Sequence, residues 1–138
     1  MDSYFVDTGF WKALVDKSDF LHERADRLWQ EIDHDHSVFV LSAMIFSETT
    51  TLIKTRAGLG QRIAKAWGER LLVHPSVSLI QMDHRLFNET WKYFIKYGDK
   101  GYSFVDCSSF VIMKELKLHR ALTFDHHFEQ AGFQVLPQ

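Results

Sequence analysis

The chain has 138 residues, 46% of them apolar and 14% aromatic, and a net charge of −2. This implies one domain, 1–138, with enough apolar mass for one core. No apolar run reaches the roughly 18 residues that cross a bilayer, the acidic start "MDSYFVD" lacks the basic region of a signal peptide, and a lone cysteine, Cys107, excludes an internal disulfide or multi-cysteine zinc site, so the expected location is the cytoplasm.

In chain order, "YFVD" at 4–7 predicts a short buried strand, and "FWKALV" a short helix capped by Thr8. "FLHERADRLWQEI" predicts an amphipathic helix, because Leu21, Ala25, Leu28, Trp29 and Ile32 recur at helical spacing. "SVFVL" at 37–41 is the second strand, and Ser42 can cap a helix running from about Ala43 to Ala57, closed by Gly58. Ile63, Ala66, Trp67 and Leu71 form the apolar stripe of the next helix. "VSLIQM" at 77–82 is a third strand. "HRLFNETWKYFIKY" is a helix stopped by Gly98, and Ser103 begins another through about Lys117. "ALTF" and "FQVL" are short closing strands. Strands alternating with helices specify an α/β fold: a parallel sheet with helices on both faces.

In such sheets, sites form outside the carboxyl ends of the strands, near the topological switch point. Asp7 ends the first strand and Asp125 the fourth; Asp106 lies in the first turn of a helix starting at the same edge. Glu48 falls in the second turn of the helix after strand two, with Met44, Ile45 and Leu52 as its helical neighbours, which places it inside the apolar arc. A carboxylate facing a core is costly unless it is paired or binds a cation. Three of the acids alone have a bland explanation: a capping box for "SFVD", a helix cap for Asp125, and an arginine pair or a rim position for Glu48; for Asp7, at the end of a buried strand, no capping role competes. Four acids from four elements converging on one edge are different, because like charges at close range need cations. Oxygen donors without thiolates favour Mg²⁺ or Mn²⁺, and such a cluster suits metal-assisted phosphodiester hydrolysis.

Other polar residues compete for attention. His126 and His127 are expected to neighbour the ion without touching it, since successive helical residues diverge by about 100° and cannot easily share one ion with Asp125. Asp99 reads as a loop residue and Asp83 as a helix cap. Ser103 and Thr8 could cap helices or bond an active-site carboxylate. Cys107 reads as a packing residue, and most of the four tryptophans fall at core spacings. Charge is uneven: residues 1–36 carry nine acidic and four basic side chains, while Lys54, Arg56, Arg62, Lys65 and Arg70 stand against Glu69 alone in 54–70. That basic segment permits an anionic partner such as RNA, with Arg56, Arg62 and Lys65 as candidate phosphate contacts.

Asp7 in "YFVDT", Glu48 in "SAMIFSETTTLIK", Asp106 in "SFVDCSSFVIMKEL" and Asp125 in "ALTFDHHFEQAGF" together resemble the PIN domain, over residues 4 to about 136. Within that family the chain is similar to the single-domain toxins of VapC type. The resemblance implies a three-layer α/β/α sandwich around a parallel sheet of about five strands. It implies a divalent-metal-dependent endoribonuclease, the toxin of a toxin–antitoxin pair that blocks translation by cutting a structured RNA. It also implies a homodimer, a small cognate antitoxin, and metal-binding and catalytic roles for Asp7, Glu48, Asp106 and Asp125. A non-catalytic PIN-like module binding RNA or protein is the alternative. An aspartyl phosphatase or phosphotransfer receiver fits less well, because Thr8 and Gly9 follow Asp7 where a second acid would stand.

Overall fold

The computed structural model describes residues 1–138. Five parallel strands, β1 (Asp2–Val6), β2 (Ser37–Ser42), β3 (Val77–Ile80), β4 (Arg120–Leu122) and β5 (Gln134–Leu136), form one sheet in the order β3-β2-β1-β4-β5. Tyr4, Phe5 and Val6 are all buried, a continuous apolar run typical of a strand covered on both faces. Seven α-helices cover the sheet: α1 (Thr8–Val15), α2 (His22–Glu31), α3 (Ala43–Thr51), α4 (Gly60–Val73), α5 (His84–Lys96), α6 (Phe104–Glu115) and α7 (His126–Gln130). They fall into two groups that pack among themselves, α1 to α4 and α5 to α7, giving the three-layer sandwich. Phe5, Phe10, Phe39, Phe110 and Phe128 are fully buried between the layers. Each such ring contributes about 1.5–3 kcal/mol by leaving water.

The connections create the site. From β1 the chain moves outward to β2 and β3, then returns to pair β4 on the other side of β1. The direction of winding therefore reverses between β1 and β4, and their carboxyl ends flank the crevice where α/β sheets bind ligands.

Local chemistry accounts for most helix starts. Ser42 accepts from Ile45 N at 3.1 Å, and Asp83 accepts from Leu86 N at 2.8 Å. Thr8 is the first residue of α1 rather than its cap; Asp7 holds the cap position, yet its side chain makes no capping hydrogen bond. The helix expected over 43–57 changes pitch: α3 ends at Thr51 and Leu52–Arg56 wind as a π-helix. On α4 the buried residues are Ala64, Gly68 and Leu71, whereas Ala66 is exposed and Ile63 and Trp67 are half-buried. A Cβ at Gly68 would meet Phe46 at 3.2 Å, so small residues set the close approach of α4 to α3. Trp11 is buried and Trp29 and Trp67 pack against the core, but Trp91 is half exposed. Cys107 is buried, and burial pushes its thiol up to about 11, as suits a packing cysteine.

Candidate active site

Asp7 follows β1 directly, and its backbone N–H continues the sheet ladder to Leu122 O at 3.0 Å. Its carboxylate is thereby delivered beside the end of β4, where Thr123 Oγ1 donates to Asp7 Oδ2 at 2.9 Å. The same Thr123 oxygen accepts from Asp125 N at 3.0 Å, so one fully buried hydroxyl ties both strand ends together. Asp125 caps α7, its Oδ1 accepting from His127 N at 2.9 Å. Asp106 stands in the first turn of α6 within a complete capping box: Ser103 N donates to Asp106 Oδ2, and Asp106 N donates to Ser103 Oγ, both at 3.0 Å. The capping role leaves Asp106 close enough for its charge to be felt at Asp7, so a cap and a place in the acid group are compatible.

Glu48 reaches the group from α3. The core face of that helix is Ile45, Thr49 and Ile53, not the arc of Met44 and Leu52, so Glu48 is exposed rather than facing the core. It lies at the rim of the crevice, where Thr8 Oγ1 donates to its Oε1 at 3.3 Å. Thr8 thus supports a site acid instead of capping a helix.

The acids sense one another. Burial, with added repulsion from Asp106 and Asp125, pushes the Asp7 carboxyl up to about 7 from an ordinary 3.8, although hydrogen bonds from Thr123 and Thr8 pull the other way. Glu48 is also raised, by desolvation and by the charge of Asp106, and is eased by its Thr8 hydrogen bond and by Arg56. No lysine or arginine forms an ion pair with any of the four carboxylates. Asp99 stays outside, exposed and 3.8 Å from Lys100.

His127 enters where the sequence reading excluded it. Its Nδ1 lies 3.3 Å from Asp106 Oδ2 and 3.3 Å from Asp125 Oδ1, buried and without a hydrogen-bond partner. His126 points to solvent, with its side chain 84% exposed, although its ring centroid lies 4.5 Å from that of His127. Even so, donor atoms of Asp125, His126 and His127 can be found within 4.8 Å of one another, because side-chain reach offsets the helical angle. Thr123 and His127 are the two site residues that local pattern did not single out as such. Their position two residues either side of Asp125 was the available signal.

Of the basic residues, Arg56 at the end of the π-helix is exposed and close enough to ease the Glu48 charge. Arg62 and Lys65 are exposed on α4, and Lys65 is paired to Glu69 at 2.9 Å. A cavity of about 400 Å³, lined by Trp11, Trp29, Trp67 and other mostly apolar side chains, shares no residue with the acid cluster. The acids instead line an open edge of the sheet.

Residues 4–134 match the PIN domain. The chain belongs to the PIN domain family. This PIN chain is 35% identical, over 135 residues, to the 23S rRNA-specific endonuclease VapC20 of Mycobacterium tuberculosis, a match covering 97% of this chain and 98% of that protein. The crystal structure of that VapC20, described as a Sarcin-Ricin loop cleaving toxin, superposes with a TM-score of 0.84 at 33% identity, covering 94% of this chain and 95% of the other. VapBC2 from Rickettsia felis, bound to a promoter DNA fragment, shares the fold at a TM-score of 0.67 and 9% identity, with 96% of each chain covered.

The residues of this PIN site fit a hard divalent cation. Their donors are carboxylate oxygens without thiolates, none of them is paired to a lysine or arginine, and one buried imidazole nitrogen between two of them makes no hydrogen bond.

Proposed function

We propose that this PIN protein is a divalent-metal-dependent endoribonuclease that hydrolyses RNA phosphodiester bonds, the toxin of a toxin–antitoxin pair. The observation that carries the reading is the gathering of Asp7, Asp106 and Asp125, with Glu48 at the rim, around the switch point with no lysine or arginine paired to them. The full-length relationship to an rRNA endonuclease supports it and makes large-subunit ribosomal RNA the first substrate class to try.

Mg²⁺ or Mn²⁺ held by Asp7, Asp106, Asp125 and Glu48 would supply an activated water and stabilise charge on the cleaved phosphate. The chain's own part is positional. Thr123 holds the Asp7 carboxylate in place through its hydroxyl and fixes the start of α7 through Asp125 N. The capping box fixes the rotamer of Asp106 before any ligand arrives. Thr8 orients Glu48 towards the crevice, where Arg56 can meet a phosphate. A small antitoxin that blocks this edge and a homodimeric toxin complete the proposal. The antitoxin is supported by the VapBC complex that shares the fold.

Purified protein should cleave RNA containing the large-subunit rRNA sequence with Mg²⁺ or Mn²⁺, and EDTA should stop it. Asp106→Asn should lower the rate by about a thousandfold or more, as expected when a charged group that stabilises the transition state is removed. Cleavage by Asp106→Asn near the wild-type rate would overturn the assignment. RNA binding that is indifferent to EDTA, with no products, would favour the non-catalytic module.

A further inference from the structure

We propose that His127 Nδ1 is a nitrogen donor to the same divalent ion as Asp106 and Asp125, and that it biases the site from Mg²⁺ towards Mn²⁺. This rests on the carboxylate-site reading above and adds to it a donor of a different kind.

The geometry of Nδ1 carries the inference. It stands 3.3 Å from one oxygen of Asp106 and 3.3 Å from one oxygen of Asp125, so it is equidistant from acids on two separate elements. A histidine serving only as a hydrogen-bond donor would aim its N–H at one of them, yet this buried nitrogen makes no hydrogen bond to either. Two ligands about 2.1 Å from one octahedral ion stand about 3 Å apart, and each points at the ion rather than at the other. Close spacing without mutual hydrogen bonding is the arrangement such neighbouring ligands have.

The surroundings hold the ring there. Tyr102 packs against it edge-on, with centroids 5.4 Å apart and planes at 79°. A Cβ added to Gly101 would lie 3.5 Å from Nε2, so the loop approaches the ring closely. The backbone N–H of His127 is fixed to Asp125 Oδ1 at 2.9 Å. With the proton on Nε2, the Nδ1 lone pair is free for a cation. His126 has no comparable setting, since its ring is almost wholly in solvent.

Chemistry then sets the preference. Mg²⁺ takes oxygen ligands and retains water, whereas Mn²⁺, which shares its taste for carboxylates but opens the transition series, accepts an imidazole nitrogen more readily.

Mn²⁺ bound to the protein is the probe, read by electron spin-echo modulation with histidine labelled as ¹⁴N or ¹⁵N. Wild type should show a histidine nitrogen coupled to Mn²⁺ that changes with the label. The coupling should survive His126→Ala and vanish in His127→Phe, a substitution that keeps an aromatic ring against Tyr102. His127→Phe should weaken Mn²⁺ binding by about tenfold or more while changing Mg²⁺ binding by about threefold or less. The labelled wild-type spectrum needs no variant, so poor folding of His127→Phe does not rescue the idea. Mn²⁺ bound with no histidine coupling, or coupling lost in His126→Ala instead, overturns the His127 assignment and leaves the carboxylate site standing. Absence of Mn²⁺ binding by wild type, or binding untouched by Asp106→Asn, overturns the carboxylate site and His127 with it.

Discussion

At Asp7 a carboxyl that ordinarily titrates near 3.8 is pushed up to about 7, chiefly by burial and further by Asp106 and Asp125. Between those values the folded chain keeps a proton that the unfolded chain has released. Stability without metal therefore falls as pH rises through this window and levels off above it. Asp7→Asn removes the titration but can still accept from Thr123. We expect the variant to melt about 3–8 °C above metal-free wild type at pH 8. The gap should close towards pH 4, and Mn²⁺ should raise the melting temperature of wild type more than that of the variant. A pH-independent gap, or none, in parallel thermal melts would contradict this account. Asp7, Asp106 and Asp125 were legible in the sequence because each terminates a strand or opens a helix, which local pattern reveals. Thr123 and His127 were not, because their roles depend on β4 lying beside β1 and on α6 meeting α7, contacts between residues far apart in the chain. The same limit misplaced Glu48: its helix spacing was right, but which face meets the core was decided by α1 and α4.

Among the elements, two serines with similar sequence signals separate structure from chemistry. Ser42 Oγ accepts from the N–H of Ile45 where both residues are fully buried, at the start of α3. Ser103 Oγ accepts from Asp106 N at the exposed start of α6. Replacing either by alanine should cost about 1–2 kcal/mol in denaturant unfolding, with Ser42 at the upper end because its loss strands a buried donor. Ser103→Ala keeps the backbone N–H that holds Asp106 Oδ2, so RNA cleavage should fall by about threefold at most by the logic of an intact anchor. A fall of about a hundredfold without matching instability would instead give the Ser103 hydroxyl a place in the chemistry. Both caps could be read locally, as could the strands, from their apolar runs. The π-helical turn at Leu52–Arg56 could not. Thr49, Thr50 and Thr55 turn their hydroxyls back onto the carbonyls of Ile45, Phe46 and Thr51, at 2.7, 2.9 and 2.7 Å. Such bonds compete for the carbonyls that a regular helix uses. The widened turn ends at Arg56, on the same side as Glu48.

Over the whole molecule, the charge is divided rather than merely small. An acidic first quarter and a crevice of carboxylates repel a polyanion, so on the proposed function RNA would be drawn in by a cation in the site and by basic side chains near the acid edge. We propose Arg56 for this part, because it is exposed, unpaired in the salt-bridge network, and near enough to Glu48 for its charge to be felt there. Lys65 spends part of its charge on Glu69. In an Asp106→Asn background, which separates binding from cutting, Arg56→Glu should weaken RNA binding by about tenfold and lower the slope of log affinity against log salt by about 0.7–0.9 per lost phosphate contact. Lys65→Glu should do less on both counts, since Lys65 already shares its charge with Glu69. Equal effects would mean a diffuse field with no privileged contact. An unchanged slope for Arg56→Glu would place the RNA path on another face of the molecule. The comparison reads direction as well as strength: Arg56 follows the widened turn out of α3, so a phosphate held there is already beside Glu48 and the acids beyond it.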